Sequence, residues 1–335
     1  SCSVALSTIE KSTPLIYASR LVVNLISIRS FPTSISTMFG INSCAKRYDE
    51  MKMKLALSKA GKNKNKFSFF ISCFTVFMIY NFPVTSVHSH EMWLEPKAFQ
   101  LNTTDLLEVN IKLGEKLQGI NLPFIPNYEE FYWSQDGEKV GIESRLGDRP
   151  AFSEIIGRDG LTSIVYVSKS SNLTYKEFEK FEKFSKHKDL GPVRQMHQKY
   201  GFSFSNFVET YRRFAKAIVG IGSAQGNDTY FGLTTEFVLL NNPYEDNSKD
   251  VVELKLIYQE KPRRNAQVEV FERSPSGTVK IFTVKTAGDG VVVIPVKRGY
   301  EYLFDAVKLR KAEQSPGQVA VWETLWAALM MKIPQ

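Results

Sequence analysis

Val87-His88-Ser89-His90-Glu91-Met92-Trp93-Leu94-Glu95-Pro96 is the stretch at which the sequence changes character. Ahead of it lies a basic run, Lys52, Lys54, Lys59, Lys62, Lys64 and Lys66, then an apolar run from Phe67 to Tyr80, then Pro83, Thr85, Ser86 and Ser89. Basic, short apolar and small-residue segments in that order form a secretory signal. The apolar run falls short of the roughly 20 residues that span a bilayer, so membrane contact is expected only through an uncleaved signal. Residues 51–89 are therefore read as the signal. Residues 1–50 are Ser-rich, begin without Met and have no helical or strand period. Translation is expected to start at Met51 or Met53, which leaves residues 1–50 as a non-native or disordered leader outside the fold.

Charge and cysteine divide the chain at the same place. Residues 1–89 carry 11 Lys/Arg against 3 Asp/Glu, which accounts for the whole chain's net +8. The remainder is balanced, so no basic surplus points to nucleic acid or acidic lipid. The three cysteines, Cys2, Cys44 and Cys73, all precede His90. The exported part needs no disulfide and has no thiol for catalysis or metal. The compartment that follows is the periplasm.

From His90 the chain reads as mainly β, in two β-rich domains, 90–235 and 236–335. In the first, Leu106–Leu113 alternates apolar and polar residues, the pattern of a half-buried strand. Residues 114–135 read as an aromatic loop with Tyr128, Phe131, Tyr132 and Trp133. Val140–Glu143, Ala151–Ile156 and Leu161–Ser168 read as strands, with Gly157-Arg-Asp-Gly160 as a turn. Two helices are expected as an insertion. Thr174-Tyr-Lys-Glu177 fits a capping box, and Phe178, Phe181 and Phe184 follow on one helical face, ending near Leu190-Gly191-Pro192. The second helix is read over Ser205–Val219, with Phe207, Val208, Tyr211, Phe214, Ala215 and Ile218 on one side.

Thr235–Pro243 reads as the junction between the domains. Strands then recur over 251–258, 267–272, 279–285, 291–296, 300–307 and 320–332, separated by Pro262, Ser274-Pro-Ser-Gly277, Gly288-Asp-Gly290, Gly299 and Pro316-Gly317. Short strands at this spacing predict a small sandwich, with Trp322, Leu325 and Trp326 in its core.

His90-Glu-Met-Trp-Leu-Glu-Pro96 directly after a signal resembles the opening of the DUF4198 family, exported bacterial proteins linked by name to the substrate-specific component of nickel uptake. Gly160–Tyr166, Glu209–Lys216, Glu236–Pro243, Gly288–Pro295 and Trp322–Met330 resemble further stretches of that family in the same order. The resemblance implies an exported two-part protein whose second part is an immunoglobulin-like or carboxypeptidase-regulatory-like sandwich.

The histidines suggest a metal. Cutting after Ser89 would leave His90 first, with its α-amine and imidazole as a chelate. Cutting after Val87 would put His90 third, where amine, two amides and imidazole close a square-planar cage. Both suit Cu(II) or Ni(II). The expected ligand set is His90, Glu91 and His197, with Glu95 as a further oxygen donor, while His187 reads as solvated helix surface. The expected function is a periplasmic metal-binding or accessory protein for nickel or copper handling, working with an inner-membrane metal transporter. The alternative is a non-enzymatic β-sandwich module that binds a polymer or protein partner through the Tyr128–Trp133 loop. No His-Glu-x-x-His, nucleophile elbow or dinucleotide fingerprint is present.

Overall fold

The computed structural model describes residues 90–245, 250–313 and 317–335. The expected leader and signal, residues 1–89, lie outside them. Eighteen strands and two helices follow in order. They are β1 (Glu91–Pro96), β2 (Gln100–Leu101), β3 (Leu107–Glu115), β4 (Gln118–Leu122), β5 (Tyr128–Gln135), β6 (Glu138–Gly141), β7 (Phe152–Glu154), β8 (Gly160–Ser168) and β9 (Ser171–Tyr175), then α1 (Phe178–His187) and α2 (Val193–Lys199). The rest are β10 (Phe207–Ile221), β11 (Thr235–Leu239), β12 (Val251–Tyr258), β13 (Lys261–Pro262), β14 (Gln267–Arg273), β15 (Val279–Lys285), β16 (Val291–Pro295), β17 (Glu301–Lys311) and β18 (Ala320–Lys332).

A ten-stranded sheet runs β15-β14-β17-β18-β10-β8-β5-β6, with β2 and β9 also on β10. A four-stranded sheet of β1, β3, β4 and β7 and another of β11, β12, β13 and β16 complete the fold. The central sheet is covered on both faces. In β18, Ala328 and Met330 join the core formed with Trp93, Leu94, Val109 and Ile111 of the first sheet. Their neighbours Ala327, Leu329 and Met331 join the core formed with Phe237, Leu254 and Ile294 of the third. β17 divides the same way, Leu303 to one side and Tyr302, Phe304 and Ala306 to the other. Successive side chains on a strand point to opposite faces, so a strand covered twice must be apolar at nearly every position.

The mainly β class and the sandwich are present. The sandwich consists of β11, β12, β13 and β16 over β14, β15, β17 and β18. It is not closed off from the first half, however: β18 pairs in parallel with β10 from Val208↔Ala320 to Ala217↔Met330. The boundary expected between 235 and 236 thus falls inside one compact unit.

Two local readings need correction. The helix expected over Ser205–Val219 is the 15-residue strand β10. Its apolar residues satisfy a helical period only because both faces of the strand are buried, so apolar side chains occur at odd and even positions alike. The second helix is instead α2, after Pro192. The capping box does not form, since Thr174 sits in β9 opposite Val208. Glu177 takes the N-cap position of α1 without a side-chain cap bond. The Phe178, Phe181 and Phe184 face is buried as expected and packs on Trp322 and Trp326, while Leu325 faces the other way.

The twice-buried sheet predicts a steep gradient of mutational cost. Leu329→Ala should destabilise by about 2–5 kcal/mol in urea unfolding, and Lys280→Ala on the outer strand β15 by less than about 0.5 kcal/mol.

Candidate functional site

The strongest concentration of titratable groups lies where α1 ends against the first and central sheets. Lys188 caps the carboxyl end of α1, a position where a cation is favoured by the helix dipole. Its Nζ lies 3.1 Å from Glu91 Oε1, 2.6 Å from Glu269 Oε2 and 2.9 Å from Asp305 Oδ2. All four side chains are buried. Glu269 and Asp305 are direct register partners on β14 and β17, a like-charge pair that Lys188 neutralises. The Trp326 ring lies 5.1 Å from the ammonium and 4.9 Å from the Arg213 guanidinium. His187 adds its Nε2 at 3.2 Å from Glu269 Oε1.

The three carboxylates are not equivalent. Burial pushes Glu91 up to about 7, against the pull of Lys188. Burial also works to raise Glu269, but the His187 bond and Lys188 outweigh it and hold that carboxyl at about 2. Burial raises Asp305 as well. Burial opposes the charge on Lys188, yet its three acids more than compensate and keep it an ammonium. A charged, enclosed lysine is no nucleophile. The cluster ties one helix to two sheets.

The opposite face holds a second buried set. Lys216 Nζ lies 2.9 Å from Asp228 Oδ2 and 3.4 Å from Glu236 Oε2. Asp228 also accepts from Ser163 Oγ and from the Leu239 amide. The sequence places Glu209, Arg212, Arg213 and Lys216 close together, which as a helix surface would be an ordinary ion-pair row. On a strand they divide between the two faces and go inward. Glu209 is buried beside Thr324, which donates to its Oε1, and beside the Tyr175 hydroxyl. Burial pushes its carboxyl up to about 7.

The expected metal ligands do not converge. Glu91 points into the Lys188 cluster, whereas His90, its neighbour along the chain, is exposed, with Nε2 3.9 Å from Glu115 Oε1. His197 is fully buried among Phe178, Phe204 and Phe207. Trp322 Nε1 donates to its Nδ1 at 3.0 Å, which puts the ring proton on Nε2, 2.8 Å from the Ser203 carbonyl. Both ring nitrogens are engaged, and neither has a lone pair left for a metal. Glu95 is held by Arg273 and Lys112. Among the described residues no group of three or more His, Cys, Asp or Glu side chains is arranged to hold a metal ion. The aromatic loop expected to contact a partner is strand β5, with Phe131, Tyr132 and Trp133 buried.

A mainly β scaffold with two helices and two internal charge clusters defines the architecture, and the family comparison agrees with it. Residues 87–309 match the family described as a domain of unknown function, DUF4198, and the chain belongs to that family. No curated protein matches it.

Removing the ammonium leaves three buried acids without their shared counter-charge. Lys188→Met should cost about 3–5 kcal/mol at neutral pH, and the loss should shrink on acidification as the acids take up protons. In the parent, Glu91 and Glu209 bind protons more tightly folded than unfolded, so stability should rise as the pH falls from about 7 towards 4.5. Glu269 acts in the opposite sense, and its contribution is lost as the pH falls from 4.5 through about 2. Urea unfolding across this range should show a maximum at about pH 4.5, with stability falling on either side, and Glu209→Gln should remove on the order of 1–3 kcal/mol of the rise.

Proposed function

We propose that the protein is a non-enzymatic binding module that engages a protein partner along the open edge of its first sheet. The observation that carries the reading is an uncharged edge strand, β4, with an exposed aliphatic side chain on it and others in the segments next to β3, β4 and β7. β4 and β7 both pair with β3 on the side away from β1, so together they form one border of the sheet. Ile120 sits on β4. Ile125 and Leu146 flank the bonds that join the Phe124 backbone to residues 147 and 148. Leu106 and Ile155 flank the Leu107↔Glu154 pair. All five are between 49% and 75% exposed. Single exposed aliphatics are ordinary; several of them in the segments around one open strand edge favour a contact surface.

The strand itself supports the mode. Gln118-Gly-Ile-Asn-Leu122 carries no charge, and strands that must stay unpaired are normally guarded by Lys, Pro or a bulge. An extended segment of the partner added to β4 would gain main-chain hydrogen bonds and cover Ile120. With export by the signal expected over residues 51–89, the partner is proposed to be a protein of the bacterial envelope.

A second reading keeps a metal, on one observation. The His90 imidazole is solvent-exposed at the start of β1 and faces Glu115, beside the β3–β4 hairpin. Release of the chain at His90 would add its amine to that imidazole, a chelate for Cu(II) or Ni(II) placed next to the docking edge. The partner would then be an inner-membrane metal transporter.

A photoreactive residue at position 121, in cells making the full chain, tests the first reading. It should give a discrete cross-linked species that Ile120→Lys with Leu146→Asp abolishes, while thermal unfolding moves by less than about 0.5 kcal/mol. No cross-link beyond that from a control position at Lys285 would refute it. For the second, Cu(II) and Ni(II) titration of protein beginning at His90 should show binding weakened at least about tenfold in His90→Ala. Equal affinity in both removes the metal from this site.

A further inference from the structure

Lys116 and Leu117 form the two-residue turn between β3 and β4, with φ of 53° and 57°. A turn of that kind makes Glu115 and Gln118 the first hydrogen-bonded pair of the hairpin. Bonded and unbonded pairs alternate from there along an antiparallel ladder. Gln118, Ile120 and Leu122 therefore direct their amides and carbonyls at β3, while Gly119 and Asn121 direct theirs away from it. Among the described residues, the main chains of Gly119 and Asn121 bond to no other strand or loop on that outer side. Every residue of β4 except Leu122 is exposed, and none is charged.

On the reading of β4 as a docking edge, we infer that its occupant is a second copy of this chain, β4 pairing with β4 antiparallel about a two-fold axis through Ile120. Groups turned outward on one antiparallel strand bond only to groups turned outward on the other. Centred on Ile120, the pairing sets Gly119 of each copy opposite Asn121 of the other, so each such pair exchanges both its bonds. Ile120 meets Ile120 in an unbonded position, where side chains approach most closely. Gln118 falls opposite Leu122. No like charges face each other, because the strand has none.

The same register carries the Lys116–Leu117 turn of each copy towards Phe124 of the other. Ile125 and Leu146 are exposed there, flanking the bonds of Phe124 to residues 147 and 148. The exposed aliphatics thus fall at the centre and the two ends of the pairing. A two-fold contact of this kind uses one patch twice and closes at two copies. A five-residue edge is small beside a standard interface, so the dimer is a weak one and is best trapped covalently.

The test uses the purified full chain with Cys2, Cys44 and Cys73 replaced by Ser, which removes the other thiols. Ile120→Cys places two thiols across the axis with Cα atoms about 4.5 Å apart, inside the range that a disulfide spans. With a mild thiol oxidant it should run at twice the chain mass on a non-reducing gel and return to monomer with reductant. Gln118→Cys, set opposite Leu122, should stay monomeric. Asn121→Pro removes an outward N–H and none bonded to β3, and added to Ile120→Cys it should abolish the dimer. If Ile120→Cys stays monomeric, or if Gln118→Cys dimerises as readily, the self-pairing is overturned. A cross-link from position 121 to a protein of another mass, with no Ile120→Cys dimer, overturns the self-pairing and keeps the docking edge. The absence of both signals removes the two together.

Discussion

The parallel contact between β10 and β18 runs through the middle of a sheet with packed layers on both faces, and the rest of the molecule is arranged around satisfying it. Backbone amides and carbonyls in such a position have no water to bond, so the ladder must meet them all. Side chains on either surface must be apolar or bring their own partners. Ala215, Ala217, Ala327 and Ala328 show the geometric side of this demand, since small residues in mid-sheet let large ones such as Trp93 and Phe237 approach from the covering layers. Gly220 is the limiting case. A Cβ there would sit 2.6 Å from that of Ala224 and 3.1 Å from the Tyr244 ring.

Charged groups inside the molecule obey the same demand. Lys188 and Lys216 lie on opposite faces of the central sheet; Lys188 is surrounded by acids from three separate strands, Lys216 by acids from the segment that follows its own strand. Ion pairs of this kind are poor sources of net stability but exacting about geometry, because removing either partner strands the other. Lys188 in particular fixes where α1 ends relative to β1, β14 and β17.

Much of this architecture could be read from the sequence, and the failures share one cause. Strands with one wet face alternate visibly, and 251–258 and 279–285 have the same limits in sequence and structure; 320–332 does too, although it is buried on both faces. Strand β10 buries both faces, so its apolar residues fit a helical wheel as well as a pleat, and its charges resemble a solvated helix surface. The pairing that crosses the boundary read between 235 and 236 went unseen for a related reason. The pairing of residue 208 with 320 is non-local, and no local period records it. The site fared worse. His90 and Glu91 are adjacent in sequence but part ways on opposite faces of the chain, and the engagement of His197 by Trp322 and Ser203 is invisible without the fold. The cluster that does exist draws Glu91, Lys188, Glu269 and Asp305 from four separate segments, a combination that only tertiary structure assembles.

The lateness of β18 in the chain also affects assembly. β10 and β17 flank it, so until the ribosome has added residues 320–332 each of them offers a bare hydrogen-bonding margin. The central layer therefore cannot close progressively from the amino end, and its completion awaits a pairing across more than a hundred residues. Loop closure of that span slows the search, as in other proteins rich in distant contacts. A chain built this way stays open for longer after synthesis.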